Sequence, residues 1–258
     1  MARLVVLGAG SIVPTENRFG SGLLLETSTT KILFDPGPST IQRLKKAGVN
    51  HEQLDAVIVT HFHLDHVSDL PALIMLWPYN VDGTPTTSPK PLHLIGPKGL
   101  SKLVQQTTET HQYLVTTMGC NRYLIVDEMR GGEKRLLKDV TITAVEVEHF
   151  NGLAYRIDFG GRSVVVSGDT VPDERLVDLA KGCDVLVHEC SFPHDKLVGK
   201  HTSEKQLGEI AARVMPKKLV VTHLYPAWMG REHELVEAVR QSGVHQVVVA
   251  EDLTVLEI

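Results

Sequence analysis

The segment Thr60-His61-Phe62-His63-Leu64-Asp65-His66 packs three histidines and one carboxylate into six successive positions, 61–66. A strand-like run at residues 56–59 leads into it, and an apolar helical stretch at residues 70–77 follows. Imidazole nitrogen and carboxylate oxygen are the donors that zinc and similar ions take. Alternate residues of an extended chain point the same way, so His61 and His63 share a side. The next turn brings Asp65 and His66 round from another. Two donor pairs facing one cavity suit two metals better than one. A lone histidine in a loop is ordinarily a surface or core residue. Four candidate donors behind a buried strand read as a metal site.

Around this segment, strands and helices are mixed. Residues 4–7 form a short apolar strand. Gly8-Ala9-Gly10-Ser11 after it reads as a loop, because the third glycine and the helix of a dinucleotide fingerprint are missing. Residues 23–26 and 31–34 form a hairpin ended by Asp35. Ser39 is placed to cap a helix reaching residue 47, with Gly48 as its stop. Strands are expected at 92–95, 123–126 and 140–147, with a helix at 99–110 and a turn at Gly131-Gly132. Residues 154–159 and 163–167 make a hairpin about Gly160-Gly161. A helix at 173–180, a strand at 183–188 and a helix reaching 215 follow, the last opened by a capping box at Ser203 and Gln206. A strand at 219–222, a helix at 232–242 and strands at 247–250 and 253–257 complete the chain. The proline-rich stretch 78–91 is either a lid or a connector. Hairpins mixed with helices exclude a pure doubly wound parallel sheet. They favour two mixed sheets with helices outside, in one domain over residues 1–258.

Composition excludes several classes. Hydrophobic content of 42% and charged content of 22% are those of an ordinary globular protein. A formal net charge of −5 gives no general affinity for nucleic acid, although a local basic patch stays open. Three cysteines, Cys120, Cys183 and Cys190, make no disulfide framework and point to a reducing compartment. Cys190 reads as a small buried hydrophobe. No basic leader with an apolar core precedes the first strand, and no apolar run approaches the roughly 20 residues that span a bilayer. The expectation is a cytoplasmic protein without membrane contact.

Together with His149, Asp169 in Ser167-Gly168-Asp169-Thr170 and His223 in Thr222-His223, the opening segment resembles the signature of the metallo-β-lactamase superfamily. The likeness runs over nearly the whole chain. It implies an α/β fold, a four-layer αββα sandwich whose strand-end loops meet at the metals. It implies that His61, His63 and His149 hold one ion and Asp65, His66 and His223 the other, with Asp169 bridging. Asp35 would orient the ligand loop from behind. Zinc is the first expectation for the two divalent ions, and manganese or iron fits the same donors. A bridging hydroxide is then the nucleophile, with Asp65 orienting it or taking its proton. Ligand histidines must be neutral, so activity should fall below roughly pH 6.

Finer segments resemble the ribonuclease Z group. Residues 7–15 are similar to its opening strand and loop. Val187-His188-Glu189-Cys190-Ser191-Phe192 is similar to its His-Glu-Ala-Thr segment, and His201-Thr202-Ser203 to the His-Ser/Thr element after it. The likeness implies a phosphodiesterase in which His201 contacts the phosphoryl oxygen and protonates the leaving group, supported by Glu189. The plainer alternative is a buried hydrogen bond at Glu189 and a His201 that merely precedes a helix cap. The departures carry information. Only one hairpin lies between His149 and Asp169, so the group's tRNA-gripping arm is absent. Pro14, Glu16, Arg18 and Phe19 stand where the group has Pro-x-Lys-x-Arg-Asn, and Tyr225 and Ala227 where it tends to have Ser and Arg. Lost cations argue against whole tRNA precursors. A small anionic ester, a nucleotide or an RNA end, suits the chain better. Lys196, Lys200 and Lys205 either meet that anion or form a solvated face. Tyr225, Trp228 and Met229 are either a base-stacking wall or ordinary core. Two other functions fit the same residues: a lactonase or carboxyl- or sulfate-ester hydrolase, and a non-catalytic binding protein stabilised by its metals. An oxygen-reducing flavo-iron protein is disfavoured, because no room remains for a flavin domain. The ribonuclease Z likeness also implies a homodimer.

Overall fold

The computed structural model describes residues 2–86 and 88–258; Met1 and Thr87 lie outside the described residues. The first half of the chain lays down β1 (Arg3–Gly8), β2 (Gly22–Glu26), β3 (Lys31–Phe34), β4 (Ala56–Ile58), β5 (Leu92–Pro97) and β6 (Leu124–Met129). The second half lays down β7 (Lys134–Leu137), β8 (Val140–Val147), β9 (Gly152–Phe159), β10 (Arg162–Val166), β11 (Val185–Glu189), β12 (Lys218–Thr222) and β13 (Val247–Val249). A last strand, β14 (Thr254–Glu257), returns to the first sheet beside β1. The sheets run β14-β1-β2-β3-β4-β5-β6 and β13-β12-β11-β10-β9-β8-β7. Both are mixed. Strands β3 to β6 are parallel in one, and β10 to β13 in the other.

Period-2 alternation in these apolar strands makes four layers. Val6, Leu25, Phe34 and Ile58 of the first sheet face Ile142, Tyr155, Val164 and Val187 of the second. Their alternates Val5, Leu24, Leu33 and Val57 pack under α1 (Thr40–Lys46), α2 (Leu64–Val67), α3 (Leu70–Leu76), α4 (Leu100–Thr110) and α5 (Tyr113–Thr116). Val165, Leu186, Leu219 and Val221 pack under α6 (Glu174–Ala180), α7 (Glu204–Val214) and α8 (Glu232–Arg240). This is the αββα sandwich.

Several expectations are refined. Ser39 sits at φ 64 and makes no side-chain cap; the Asp69 carboxylate, from the start of α3, accepts from Ile41 N at 3.1 Å instead. Gly131-Gly132 marks the crossing from one sheet to the other, and β7 is an added edge strand. Its Lys-Arg-Leu-Leu sequence is charged and half exposed, as edge strands often are. The described part of 78–91 is tied to its own neighbours: His51 Nε2 contacts Tyr79 O at 2.8 Å, and Trp77 Nε1 donates to Lys90 O at 2.8 Å. The Ser203–Gln206 capping box forms, with Ser203 N donating to Gln206 Oε1 at 2.9 Å.

Candidate metal centre

Parallel strands end together, so loops leaving their C-terminal ends converge. The loop after β4 carries His61, His63, Asp65 and His66, the last two on α2. The loops after β8, β10 and β12 carry His149, Asp169 and His223, and Glu189 ends β11. Close approach of the two sheets requires Gly168: its φ is 60, and a Cβ there would lie 2.9 Å from Thr60 Cβ. Backbone and side-chain bonds cross the same gap, from Leu153 N to Thr60 O at 2.9 Å and from Tyr155 Oη to Val59 O at 3.0 Å. His223 itself sits at φ 58, a strained conformation for a residue with a Cβ.

All seven expected donors come together. His61, His63, His149 and Asp169 form one group and Asp65, His66 and His223 another, the donor atoms within each lying within 4.8 Å of one another. Asp169 joins the two. Its Oδ2 is 3.7 Å from His61 Nε2 and 3.3 Å from His223 Nε2, and its Oδ1 is 3.5 Å from His66 Nε2. Asp65 Oδ2 is 3.2 Å from His223 Nε2.

The surrounding hydrogen bonds fix which nitrogen carries hydrogen in four of the rings. Asp35, at φ 49, takes Thr60 N on Oδ1 and Thr60 Oγ1 on Oδ2, each at 2.8 Å. The Thr60 hydroxyl hydrogen is thereby spent, so Thr60 Oγ1 accepts from His61 Nδ1 at 3.0 Å. His66 Nδ1 donates to Asp35 Oδ2 at 2.8 Å, and His149 Nδ1 to Lys200 O at 3.0 Å. Ser191 Oγ gives its hydrogen to Glu189 Oε2 at 2.5 Å and accepts from His223 Nδ1 at 2.9 Å. Four rings are thus pinned through Nδ1 with Nε2 aimed inward, the arrangement that metal-binding histidines require. His61 Nε2 is buried and has no hydrogen-bond partner among the described residues. A cation among these donors would satisfy it, so the residues fit the metal.

Charge follows the same geometry. Burial, and then His66, drive the His61 pKa well below the usual histidine range. Burial pulls His66 down too, but Asp169 and Asp35 outweigh it and hold its pKa well above that range. Asp169 is pushed up by burial yet ends well below the carboxylate range because His223, His66 and His61 surround it. A cation held by His66 would compete with the proton that this environment favours there.

His201 stands at the edge of this cluster, its ring 5.5 Å from His149 and 5.6 Å from His223. Its Nδ1 meets Glu189 Oε1 at 3.0 Å. Glu189 also takes Thr170 N, Ser191 N and Thr202 N. Asp169, His201 and His223 make a third group of donors close enough for a metal. Thr60 and Ser191 are the residues that sequence reasoning missed; only distant partners reveal their role. Of the expected apolar wall, Trp228 is core, with Nε1 donating to Cys190 O at 2.7 Å, while Tyr225 is half buried and Met229 exposed. Arg18 is buried, binding Ala250 O at 2.9 Å and Glu232 at 3.0 Å.

Known proteins share this plan. The sequence matches the family described as Anti-Pycsar protein Apyc1 over residues 2–244. Ribonuclease Z of Mycobacterium avium (strain 104) is 31% identical over 255 residues, covering 91% of this chain and 90% of that protein. The metallo-β-lactamase fold protein YhfI from Bacillus subtilis superposes with a TM-score of 0.84 at 23% identity, over all of both chains. The short form of human tRNase Z superposes with a TM-score of 0.75 at 21% identity, over 99% of each. The chain belongs to the family of Anti-Pycsar protein Apyc1 and, with its ribonuclease Z relatives, to the hydrolases of the metallo-β-lactamase fold.

Proposed function

We propose that the chain is a dinuclear enzyme that hydrolyses a small phosphodiester. The relatives named ribonuclease Z support phosphodiester chemistry over lactones or sulfate esters. The observation that carries the reading is the set of rings pinned through Nδ1 around the unpartnered His61 Nε2. His61, His63 and His149 would hold one divalent ion, and Asp65, His66 and His223 the other, with Asp169 shared. Zinc suits this nitrogen and oxygen set, as do manganese and iron. Two such ions supply Lewis acidity at the phosphoryl oxygens and a water of lowered pKa.

The chain's own groups do the rest. Asp65 orients the attacking water. Burial lowers the His201 pKa, but the hydrogen bond and charge of Glu189 outweigh this and raise it. That bias favours a proton on His201 Nε2, the one it would give to the leaving oxygen. Glu189 is a positioning residue that fixes the His201 ring. Arg18 is spent inside the fold, one hairpin separates His149 from Asp169, and the net charge is −5. A nucleotide or an RNA end suits such a surface better than a tRNA precursor. The cysteines are free and buried, and no helix among the described residues is long and apolar enough to cross a membrane. The cysteines suit a reducing compartment, and we place the enzyme in the cytoplasm.

The test is bound metal per chain, with turnover of a chromogenic phosphodiester and a lactone panel by the same sample. His201→Ala should keep its metal and lose about 10²–10⁴-fold in phosphodiester kcat, the scale of a lost proton donor. Turnover of lactones alone, or a His201→Ala variant as fast as the parent, would sink the reading.

A further inference from the structure

A phosphodiester has two substituents, and two separate aromatic surfaces border the site. Phe192 and Tyr225 stack with centroids 4.3 Å apart and planes 24° apart, and each ring lies 5.9 Å from His201. Phe150 stands beside the donors His63 and His149. Its centroid is 5.3 Å from His63 and 5.3 Å from His149, yet the residue is 63% exposed. So open a ring gains little from packing. Its backbone is nevertheless held on both sides. Asn151 turns through φ 56 and donates from Nδ2 to Lys98 O at 2.6 Å, and His149 is tied to Lys200 O. Lys200 Nζ lies 5.7 Å from the Phe150 centroid, within cation–π range. The turn thus keeps an apolar ring fixed, wet and beside two of the seven donors.

We propose that Phe150 determines specificity by stacking the nucleobase on the substituent that stays on phosphorus. The inference rests on the phosphodiesterase reading. Hydrolysis forms one P–O bond from water and breaks the P–O bond to the leaving group, which takes the proton held by His201. His201 lies against Phe192 and Tyr225, so the leaving group points that way. The retained substituent leaves the phosphorus through its other bridging oxygen, and Phe150, beside His63 and His149, offers it a ring. Every base has a π face, so stacking selects a nucleoside over an alkyl group without reading which base it is. Two neighbouring features fit this use of the ring: Phe150 is 63% exposed, and the flexible Lys200 side chain, with Nζ 5.7 Å from the centroid, supplies a cation that a base can displace or meet.

Two esters with one leaving group test it on the metal-loaded enzyme: thymidine 5′-(p-nitrophenyl) phosphate and methyl p-nitrophenyl phosphate. Phe150→Ala should raise KM for the thymidine ester about tenfold more than KM for the methyl ester, the scale of one lost base–aromatic stack. The change should fall on KM rather than kcat, and Phe150→Trp should restore the preference. Equal effects on both esters, or a Phe150→Trp variant that behaves as Phe150→Ala, overturn the assignment. A ring that instead seats a second copy of the chain would shift the gel-filtration volume in Phe150→Ala and move both KM values together, which also overturns it. Hydrolysis of neither ester by the parent enzyme overturns the phosphodiesterase reading itself; hydrolysis of both without a Phe150 effect overturns only this inference.

Discussion

Asp169 shows how much a single side chain can organise. Its carboxylate lies within 3.8 Å of nitrogen atoms on His61, His66, His149 and His223. Those four rings come from both halves of the chain. Asp169→Ala should therefore cost more than one ligand: bound metal per chain should fall below the parent's, and phosphodiester turnover should vanish. Elemental analysis of the purified variant checks this, and full metal content with full turnover would remove the bridging role. Four of the candidate donors were readable because they crowd into residues 61–66; His149, Asp169 and His223 were singled out through the family likeness. The tautomers were not readable. Thr60 is adjacent to His61, but its hydroxyl is committed by Asp35, 25 positions away. Ser191 answers to Glu189, two residues off, and to His223, 32 residues off. Such long-range hydrogen bonds leave no periodic trace in a sequence.

Strands and helices were read best where apolar alternation was strong, as in the β9–β10 hairpin. They were read worst where contacts from elsewhere decide the outcome. Ser39 has a capping residue's chemistry, yet Asp69 does the capping from another helix. The edge strand β7 lacks an apolar stripe and escaped notice. The turn that follows it holds a clasp between the sheets. Asp139, just before β8, accepts hydrogen bonds from Thr27 Oγ1 at 2.8 Å, Ser28 Oγ at 3.2 Å and Thr30 Oγ1, all on the β2–β3 turn. Burial is the largest single influence and raises its pKa, but the hydroxyls of that turn, Thr30 foremost, together outweigh it and hold it at about 2. An unfolded aspartate titrates near 3.9. The clasp's stabilisation is therefore fully present above about pH 4 and is lost as pH falls through about 2. Asp139→Asn should lower Tm most above about pH 4, and the gap to the parent should close on acidification. Thermal melts across that range check it; a gap that does not vary with pH would assign the clasp no charge component.

At the scale of the whole molecule, the sandwich was legible through its family likeness. Secondary structure alone would not have shown how the sheets face, nor that β14 returns to pair with β1 across nearly the full chain length. Metals that bind only the folded form add stability by mass action, about 4 kcal/mol at 1,000 times Kd. For a chain of this size that corresponds to a Tm shift of about 10 °C. Chelation should lower Tm by that order, and adding zinc back should restore it; a Tm indifferent to chelation would mean that the fold binds no structural metal. The division of the donors has a mechanical side. The first sheet brings His61, His63, Asp65 and His66, and the second brings His149, Asp169 and His223. Each proposed donor set draws on both sheets, so an ion held there would act as a rivet through two plates. A slide of one plate by an ångström would shear the rivet. Metal uptake during refolding therefore serves as a clock for the moment the two halves dock, independent of when each sheet forms.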